Sequence, residues 1–243
     1  MCEVIDLFVV SRTNKGLVRD NNEDSVLVKL PNLFVIADGM GGHQGGETAS
    51  SEAVAYLGGT DFSNVEEKDI LPFLTKKVQE ASNHIWQLAQ ENPKLRGMGT
   101  TLTAVFLLSD ERACVAHVGD SRVYLLQSNG LKKITRDHSY VAELVRNKEI
   151  SPEEAATHQH KNIIMRAVGA EPYVEVDSFE FLTSGAKKLL LSSDGLTNMV
   201  SENEIENILQ DSNLTFVADS LMDKALAAGG KDNISFIILD LED

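Results

Sequence analysis

Two short apolar runs in this chain each end in an aspartate that glycine follows directly. Phe34–Ala37 precedes Asp38-Gly39, and Leu189–Leu191 leads through two serines to Asp194-Gly195. Apolar runs of this length are typical of buried strands. An Asp-Gly pair at a strand end can simply form a turn. It can also place a carboxylate beside an accessible backbone carbonyl, and these hard oxygens suit Mg²⁺ or Mn²⁺.

Two further aspartates follow the same pattern. Asp120 and Asp232 also lie at predicted strand ends, beside glycine or asparagine. Carboxylates that converge from separate strands repel one another unless cations neutralise them. The pattern therefore favours a two-metal centre, with ions about 3.5–4 Å apart and a bridging water as the nucleophile. For Asp120, which lies in a tight turn, a purely structural role also fits.

The composition limits the class of protein and its partners. The chain has 243 residues, of which 42% are hydrophobic, which suits one domain with a real core. The formal net charge of −15 argues against binding to nucleic acid or to anionic membranes. The two cysteines, Cys2 and Cys114, do not suggest a disulfide framework, and Cys114 fits a core position. Without an apolar run of about 18–20 residues or a basic N-terminus, we expect a cytoplasmic protein.

Periodicity gives a coarse map of the elements. Short strands with tight turns in the middle third indicate antiparallel sheet. Ser25–Leu30 and the strand that carries Asp38 are predicted to form a hairpin, which brings Glu23 and Asp24 near Asp38, with Arg19 close by. Helices are predicted over residues 44–56, 69–90, 139–147 and 214–228. Two more are predicted to begin after the capping residues Ser151 and Ser201. Further strands are predicted over residues 7–10 and 173–179. His158 and His160 have metal-ligand character, but no third soft ligand is close in the sequence.

Six ordered segments, which span residues 18 to 233, together resemble the metal-dependent protein phosphatases, the type 2C serine/threonine phosphatases, and most closely their compact bacterial members. Each segment is a weak signal alone, but their order and separation are specific. They are Val18–Asp24, Ala37–His43, Gly99–Thr101, Val118–Arg122, Ser192–Leu196 and Gly230–Asn233.

The resemblance implies an α+β fold: a four-layer α-β-β-α sandwich of two central antiparallel sheets flanked by helices. It implies a single domain over residues 1–243, with a variable flap at about residues 140–166. It also implies a signalling hydrolase that removes phosphate from phosphoserine and phosphothreonine in proteins. In that family a water or hydroxide that bridges two Mg²⁺ or Mn²⁺ ions attacks phosphorus directly, and a third ion can bind.

The resemblance also assigns roles by position. Asp38 would bridge both metals, and the Gly39 carbonyl would ligate the second. Asp194 and Asp232 would complete the shell of the first metal, and Asp120 would hold the third metal together with Asp194. Glu23 and Asp24 match an acidic pair that orients metal-bound water. Arg19 matches the cation that grips the substrate phosphate, in keeping with its planar fork of donors.

Two positions depart from the family pattern. Some relatives have a histidine directly after the Asp-Gly pair as general acid, where this chain has Met40. His43, three residues later, is then the candidate for that role, and metal-bound water is the alternative. Bacterial relatives often have threonine at the position of Met165 in the flap.

The resemblance further implies phosphoprotein substrates, an opposing serine/threonine kinase and a monomer. A non-catalytic, phosphatase-like binding module is the alternative, although such a module is expected to lose metal ligands and this chain keeps those predicted. A two-metal nuclease is disfavoured by the net charge and by the lack of basic or aromatic stripes.

Overall fold

Strands occupy the centre of the molecule. The computed structural model describes residues 7–41, 44–109 and 111–242. Within these ranges the strands are β1 (Val9–Asn14), β2 (Asp24–Lys29), β3 (Leu33–Met40), β4 (Gly99–Thr100), β5 (Leu102–Leu107), β6 (Arg112–Val118), β7 (Arg122–Gln127), β8 (Gly130–Lys133), β9 (Asp177–Leu182), β10 (Ala186–Ser192) and β11 (Ile234–Asp240). They form two antiparallel sheets, one ordered β1-β11-β10-β7-β8 and the other β2-β3-β5-β6-β9, with β4 paired to β3.

Helices cover the outer faces of both sheets. The described helices are α1 (Gln44–Gly58), α2 (Glu67–Glu91), α3 (Tyr140–Arg146), α4 (Pro152–Thr157), α5 (Asp194–Thr197), α6 (Glu202–Leu209) and α7 (Leu214–Ala227). Helices α1 and α2 share one apolar core with the sheet that contains β3. Helices α6 and α7 share another with the sheet that contains β11. The four-layer α-β-β-α sandwich predicted from the family resemblance is therefore confirmed.

Side-chain alternation along β3 shows how the layers are joined. Phe34 and Ile36 are fully buried between the two sheets. Val35 and Ala37 are fully buried on the opposite face, against α1 and α2. A strand buried on both faces has no polar side, which is why this run lacks the apolar–polar alternation of a surface strand. Its rigid packing fixes the backbone on which Asp38 lies.

Three local predictions are confirmed. Residues of β2 and β3 pair as a hairpin, with Asp24 opposite Asp38. Capping boxes begin α4 at Ser151 and α6 at Ser201, where each serine side chain accepts from the third helical residue. In each box the glutamate side chain at that third position accepts from the serine backbone N–H, so both residues satisfy groups that the helix leaves open.

Two strand predictions need correction. Strand β9 begins at Asp177, not Tyr173, and the preceding segment is held by ion pairs from Arg166 to Glu175 at 3.0 Å and to Asp177 at 2.8 Å. Strand β1 begins at Val9 and continues to Asn14, whereas residues 7–10 were predicted. Pairing with β11 explains this extension, because all six β1 residues find partners there.

Candidate metal and phosphate site

The topology brings the predicted acidic residues to one end of the two sheets. Asp24 and Asp38 are direct cross-strand partners in β2 and β3. Asp194 begins α5 just beyond β10, Asp120 lies in the turn between β6 and β7, and Asp232 precedes β11. Burial raises the pKa of Asp38 well above its usual range, and the charges of the other four aspartates raise it further. Five carboxyl groups from five separate segments therefore act on one another.

The other carboxyl groups of this cluster are perturbed in the same direction. Burial, and then neighbouring aspartate charges, raise the pKa of Asp24 to about 7 and that of Asp120 to about 7. The pKa of Asp194 is also raised, first by burial and then by the charge of Asp232. Carboxylates that crowd together out of water keep their protons unless positive charge is supplied. Without a cation, full ionisation of these aspartates would therefore destabilise the folded protein.

The donor set fits a divalent cation. Asp24 Oδ1 and Asp194 Oδ1 are buried and have no hydrogen-bond partner within the described ranges. Buried oxygens without partners are costly, and a hard cation that takes oxygen ligands would satisfy them. In the same ranges, no three His, Cys, Asp or Glu side chains converge tightly enough to hold an ion as they stand. Small shifts of the carboxylates on ion binding are therefore expected.

Gly39 and Glu23 are packed together beside Asp38. The Gly39 backbone N–H donates to the Glu23 carbonyl at 3.1 Å. A Cβ atom on Gly39 would lie 2.1 Å from the Gly46 carbonyl oxygen and 2.6 Å from that of Glu23. Only glycine permits this close backbone approach. The first turn of α1 is thereby held against the end of β3, with the Glu23 side chain against Gly46.

Arg19 lies at the edge of the acidic cluster. Its guanidinium donates to Asp232 Oδ2 at 2.8 Å, and 54% of its side chain is exposed. Glu23 and Asp38 also act on its charge. The structure thus places the one cation predicted for phosphate binding directly beside a predicted metal ligand, with part of its guanidinium open to solvent.

The backbone of Asp38 is held by Thr100 and Thr101, which belong to one of the family-like segments but had no predicted role. The Asp38 backbone N–H donates to Thr101 Oγ1 at 2.9 Å, and the Asp38 carbonyl accepts from Thr100 Oγ1 at 2.9 Å. Thr101 Oγ1 also lies 2.8 Å from Ser121 Oγ, next to Asp120. The Gly-Thr-Thr segment therefore connects the turn of Asp120 to the end of β3.

Asn233 joins distant parts of the chain. Its Oδ1 accepts from the backbone N–H of Glu23 at 2.7 Å. Its Nδ2 donates to the carbonyls of Lys15 at 3.0 Å and Asn21 at 2.9 Å. An amide side chain can both donate and accept, so asparagine suits this position. Asn233 belongs to one of the family-like segments. Its role depends on contacts with residues more than 200 positions away in the sequence, which no local pattern reveals.

His138 also positions the site, and sequence reasoning missed it. Its Nδ1 accepts from the Gly119 backbone N–H at 3.1 Å, and its own backbone N–H donates to the Gly119 carbonyl at 2.8 Å. Its Nε2 lies 3.1 Å from Asp177 Oδ2. Gly119 precedes Asp120, so this buried imidazole holds the turn from which Asp120 projects. The only sequence signal was its place one residue before the N-cap Ser139.

We expect His138→Ala to lower the free energy of unfolding by about 2–3 kcal/mol, since it leaves the buried Gly119 N–H without an acceptor. His84→Ala is the matched control, because His84 is about two-fifths exposed and pairs with a single carboxylate, that of Glu52, among the described residues. That variant should lose no more than about 0.5 kcal/mol. Urea unfolding in chelator measures both. Equal losses for the two variants would contradict the role given to His138.

Three other predictions have different outcomes. His43 lies outside the described residues, so its role as general acid stays a prediction. Burial raises the pKa of the Cys114 thiol to about 12, which agrees with a core residue and not with a nucleophile. His158 and His160 have ring centroids 5.6 Å apart, and within the described ranges no third protein ligand joins them.

None of the helices described in the three ranges has the length and apolar character that a bilayer crossing requires.

The chain is similar to known protein phosphatases over most of its length. The family model of protein phosphatase 2C matches residues 11–228. A serine/threonine phosphatase stp of Listeria welshimeri is 43% identical over 237 residues, which cover 94% of this chain and 94% of that protein. The protein phosphatase PhpP of Streptococcus pneumoniae is 36% identical over 240 residues, with 95% and 96% covered.

Solved structures agree closely in fold. The catalytic domain of serine/threonine protein phosphatase PstP, solved in complex with two manganese ions, superposes with a TM-score of 0.86. It is 38% identical to this chain, and the match covers 98% of this chain and 99% of that one.

Proposed function

The chain belongs to the protein phosphatase 2C family and is a metal-dependent serine/threonine protein phosphatase; we propose that its acidic cluster holds the metals and that Arg19 binds the phosphate. Its substrates are phosphoproteins. We infer that residues 1–243 form one catalytic domain, with a flap at about residues 140–166. Production of those substrates requires a serine/threonine kinase, and we place both activities in the cytoplasm.

One observation supports the proposal most strongly. Five buried or half-buried aspartates from separate segments act on one another, and two of them carry buried oxygens without a partner in the described ranges. A protein that needed these groups only for its fold would gain stability by replacing them with apolar side chains. Their joint presence is best explained by cations that the residues bind during function.

The metal ligands proposed are those that the sequence indicated. Asp38 would hold two ions, Gly39 would add its carbonyl to one of them, and Asp194 and Asp232 would complete the other. When bound, two Mg²⁺ or Mn²⁺ ions activate the attacking water and offset charge on the phosphate oxygens. Asp120 would contribute to a third ion, together with Asp194.

Several residues act without being ligands. Glu23 and Asp24 would accept hydrogen bonds from water that lies at the ions, and Ser193 Oγ, which donates to Asp24 Oδ2 at 2.8 Å, keeps that carboxylate in place. Thr101 and Asn233 hold the backbone around the site. Protonation of the leaving alkoxide is assigned to His43 or to water, as the sequence indicated.

Arg19 is proposed to bind the substrate phosphate while it keeps its contact with Asp232. In the absence of phosphate, its guanidinium contacts Asp232. A guanidinium offers several donors in one plane, so it can keep a carboxylate and still contact a phosphoryl oxygen. Its half-exposed position leaves it accessible to a phosphorylated side chain that approaches from solvent.

We expect Arg19→Ala to lower kcat/KM for a phosphothreonine peptide with Mn²⁺ by about 100-fold, because one donor to the phosphate is lost. Arg19→Lys should restore part of the loss, since it keeps the charge but not the fork. Phosphate release measures both variants.

Arg12→Ala is the matched control, because Arg12 also binds one aspartate side chain, that of Asp219, within the described ranges. Its activity should stay within about twofold of wild type. Equal losses for Arg12→Ala and Arg19→Ala would contradict the role of Arg19. No phosphate release by the wild type with Mn²⁺ would overturn the assignment of these residues as a catalytic site.

A further inference from the structure

Two apolar side chains next to Arg19 are largely exposed. Leu17 is 68% exposed and Val18 is 66% exposed. Single exposed apolar residues are common on protein surfaces and need no explanation. Two in succession, directly before the residue proposed to bind phosphate, are a different case, because adjoining exposed apolar residues often mark a contact surface.

The exposure of this pair does not come from a loose chain. The Leu17 backbone N–H donates to the Gly230 carbonyl at 2.7 Å. Gly16, at φ +76°, is so close to the turn of Asp232 that a Cβ would lie 2.2 Å from the Asp232 carbonyl oxygen. Asn233 holds the carbonyls of Lys15 and Asn21 on either side. The backbone is thus fixed at several points, and the Leu17–Val18 pair is presented on an ordered loop.

The surroundings of the pair limit what it can contact. Leu17 lies over Gly230, where a Cβ would come within 3.1 Å of Leu17 Cγ. Gly230 is two residues before Asp232, the partner of Arg19. The whole chain carries a net charge of −15, and the nearby cluster is acidic. An acidic side chain would be repelled here, whereas an apolar one would remove apolar surface from water.

We propose that the Leu17–Val18 pair binds an apolar side chain that directly neighbours the phosphorylated residue of the substrate, and so gives the phosphatase a preference for such sequences. This inference rests on the proposed role of Arg19. Neighbouring residues of a peptide have Cα atoms about 3.8 Å apart. Leu17 and Val18 directly precede Arg19, so we expect a neighbouring substrate side chain to meet them when Arg19 holds the phosphate.

The test uses phosphothreonine peptides that differ only at the residue before or after the phosphothreonine, with leucine, serine or glutamate there. The comparison of leucine with serine changes apolar surface at constant charge. Wild type with Mn²⁺ should favour leucine over serine by about fivefold in kcat/KM at one of the two positions, as expected for about 40 Å² of apolar contact. Glutamate should be the poorest of the three.

The double variant Leu17→Ala, Val18→Ala should reduce the leucine preference to below about twofold. Each peptide rate is divided by the rate of the same variant on p-nitrophenyl phosphate, which has no neighbouring residue, so that losses in folding or chemistry cancel. Leu182→Ala is the matched control: Leu182 is 66% exposed and pairs with Arg112, at the far end of β6 from Asp120. It should keep the full preference.

A wild type that turns over leucine and serine peptides equally would overturn the inference, as would a double variant that keeps the preference. Either result leaves the phosphatase assignment intact, because both require measured turnover. Failure of the wild type to release phosphate from any peptide would instead contradict the proposed function, so the two failures are distinguishable.

Discussion

Asp38→Asn is expected to lose about a thousandfold in phosphatase activity with Mn²⁺ and yet to unfold at a higher temperature than wild type when both are free of metal. The activity falls because Asp38 is the residue proposed to hold both ions and the neutral amide cannot replace that charge. The stability rises because the substitution removes a carboxyl whose pKa is raised first by burial and then by the charges of four neighbouring aspartates.

The gain for the metal-free protein should be about 2 kcal/mol, or roughly 5 °C in unfolding temperature for a chain of this size. It should depend on pH. Asp24 and Asp120 have pKa values of about 7 against a usual 3.8, so the folded state binds more protons than the unfolded state between these values. Stability of the metal-free wild type therefore falls as pH rises from about 4 to about 7, and Asp38→Asn should flatten that fall.

Calorimetry at pH 5 and pH 8, in chelator and in Mn²⁺, measures these effects. Mn²⁺ should raise the unfolding temperature of wild type most at pH 8, where the carboxyls are ionised, and should stabilise Asp38→Asn less. Asp219→Asn is a suitable control, because Asp219 is more than half exposed and Arg12 is its one ion-pair partner in the part of the chain that the structure describes. A metal-free Asp38→Asn protein no more stable than wild type at pH 8 would contradict the charge argument.

Gly195→Ala should be strongly disruptive although it leaves every charged group in place. A Cβ at Gly195 would lie 1.9 Å from the Asn233 carbonyl oxygen and 3.5 Å from Asp232 Cβ. Because of this clash, the residues just before β11 and the start of α5 cannot both keep their positions. We expect a loss of about 3 kcal/mol in the free energy of unfolding and weaker Mn²⁺ binding, because Asp194 and Asp232 lie on the two segments that must separate.

Gly58→Ala provides the comparison within the same class of substitution. Its Cβ would lie 3.5 Å from Leu27 Cδ2, an ordinary contact, at the last residue of α1. Alanine is the better helix former, so this variant should be unchanged or gain up to about 1 kcal/mol. Urea unfolding and Mn²⁺ titration calorimetry of both variants give the answer. If Gly195→Ala retains wild-type stability and metal affinity, the close approach at Gly195 does not constrain the site.

The sequence predicted the clustering of the aspartates better than it predicted the borders of the elements. The β2–β3 hairpin and the capping boxes at Ser151 and Ser201 were found because each is determined by residues close together in the chain. The position of Asp38 opposite Asp24 followed from the hairpin alone. The sandwich itself followed from the family resemblance, since periodicity gave elements but not their arrangement.

Long-range contacts explain the misses. Tyr173 lies in an alternating stretch that looks like a strand, but Arg166 binds Glu175 and Asp177 and holds the segment before β9 outside the sheet. His138 is important because of Gly119, nineteen residues earlier. Neither contact can be predicted from the spacing of hydrophobic residues, because that spacing indicates which face of an element is buried and not which polar groups bind each other.

The hydrogen bonds of Asn233 have a consequence for the order of events during synthesis. They fasten Lys15, Asn21 and Glu23 to a residue that the ribosome adds more than 200 positions later. Until then, the early loop that carries Arg19 lacks these three hydrogen bonds. A growing chain thus contains Asp24, Asp38, Asp120 and Asp194 before Asp232 completes the acidic cluster. A chain that stops before residue 232 lacks both Asp232 and these three hydrogen bonds, so we expect it to be inactive.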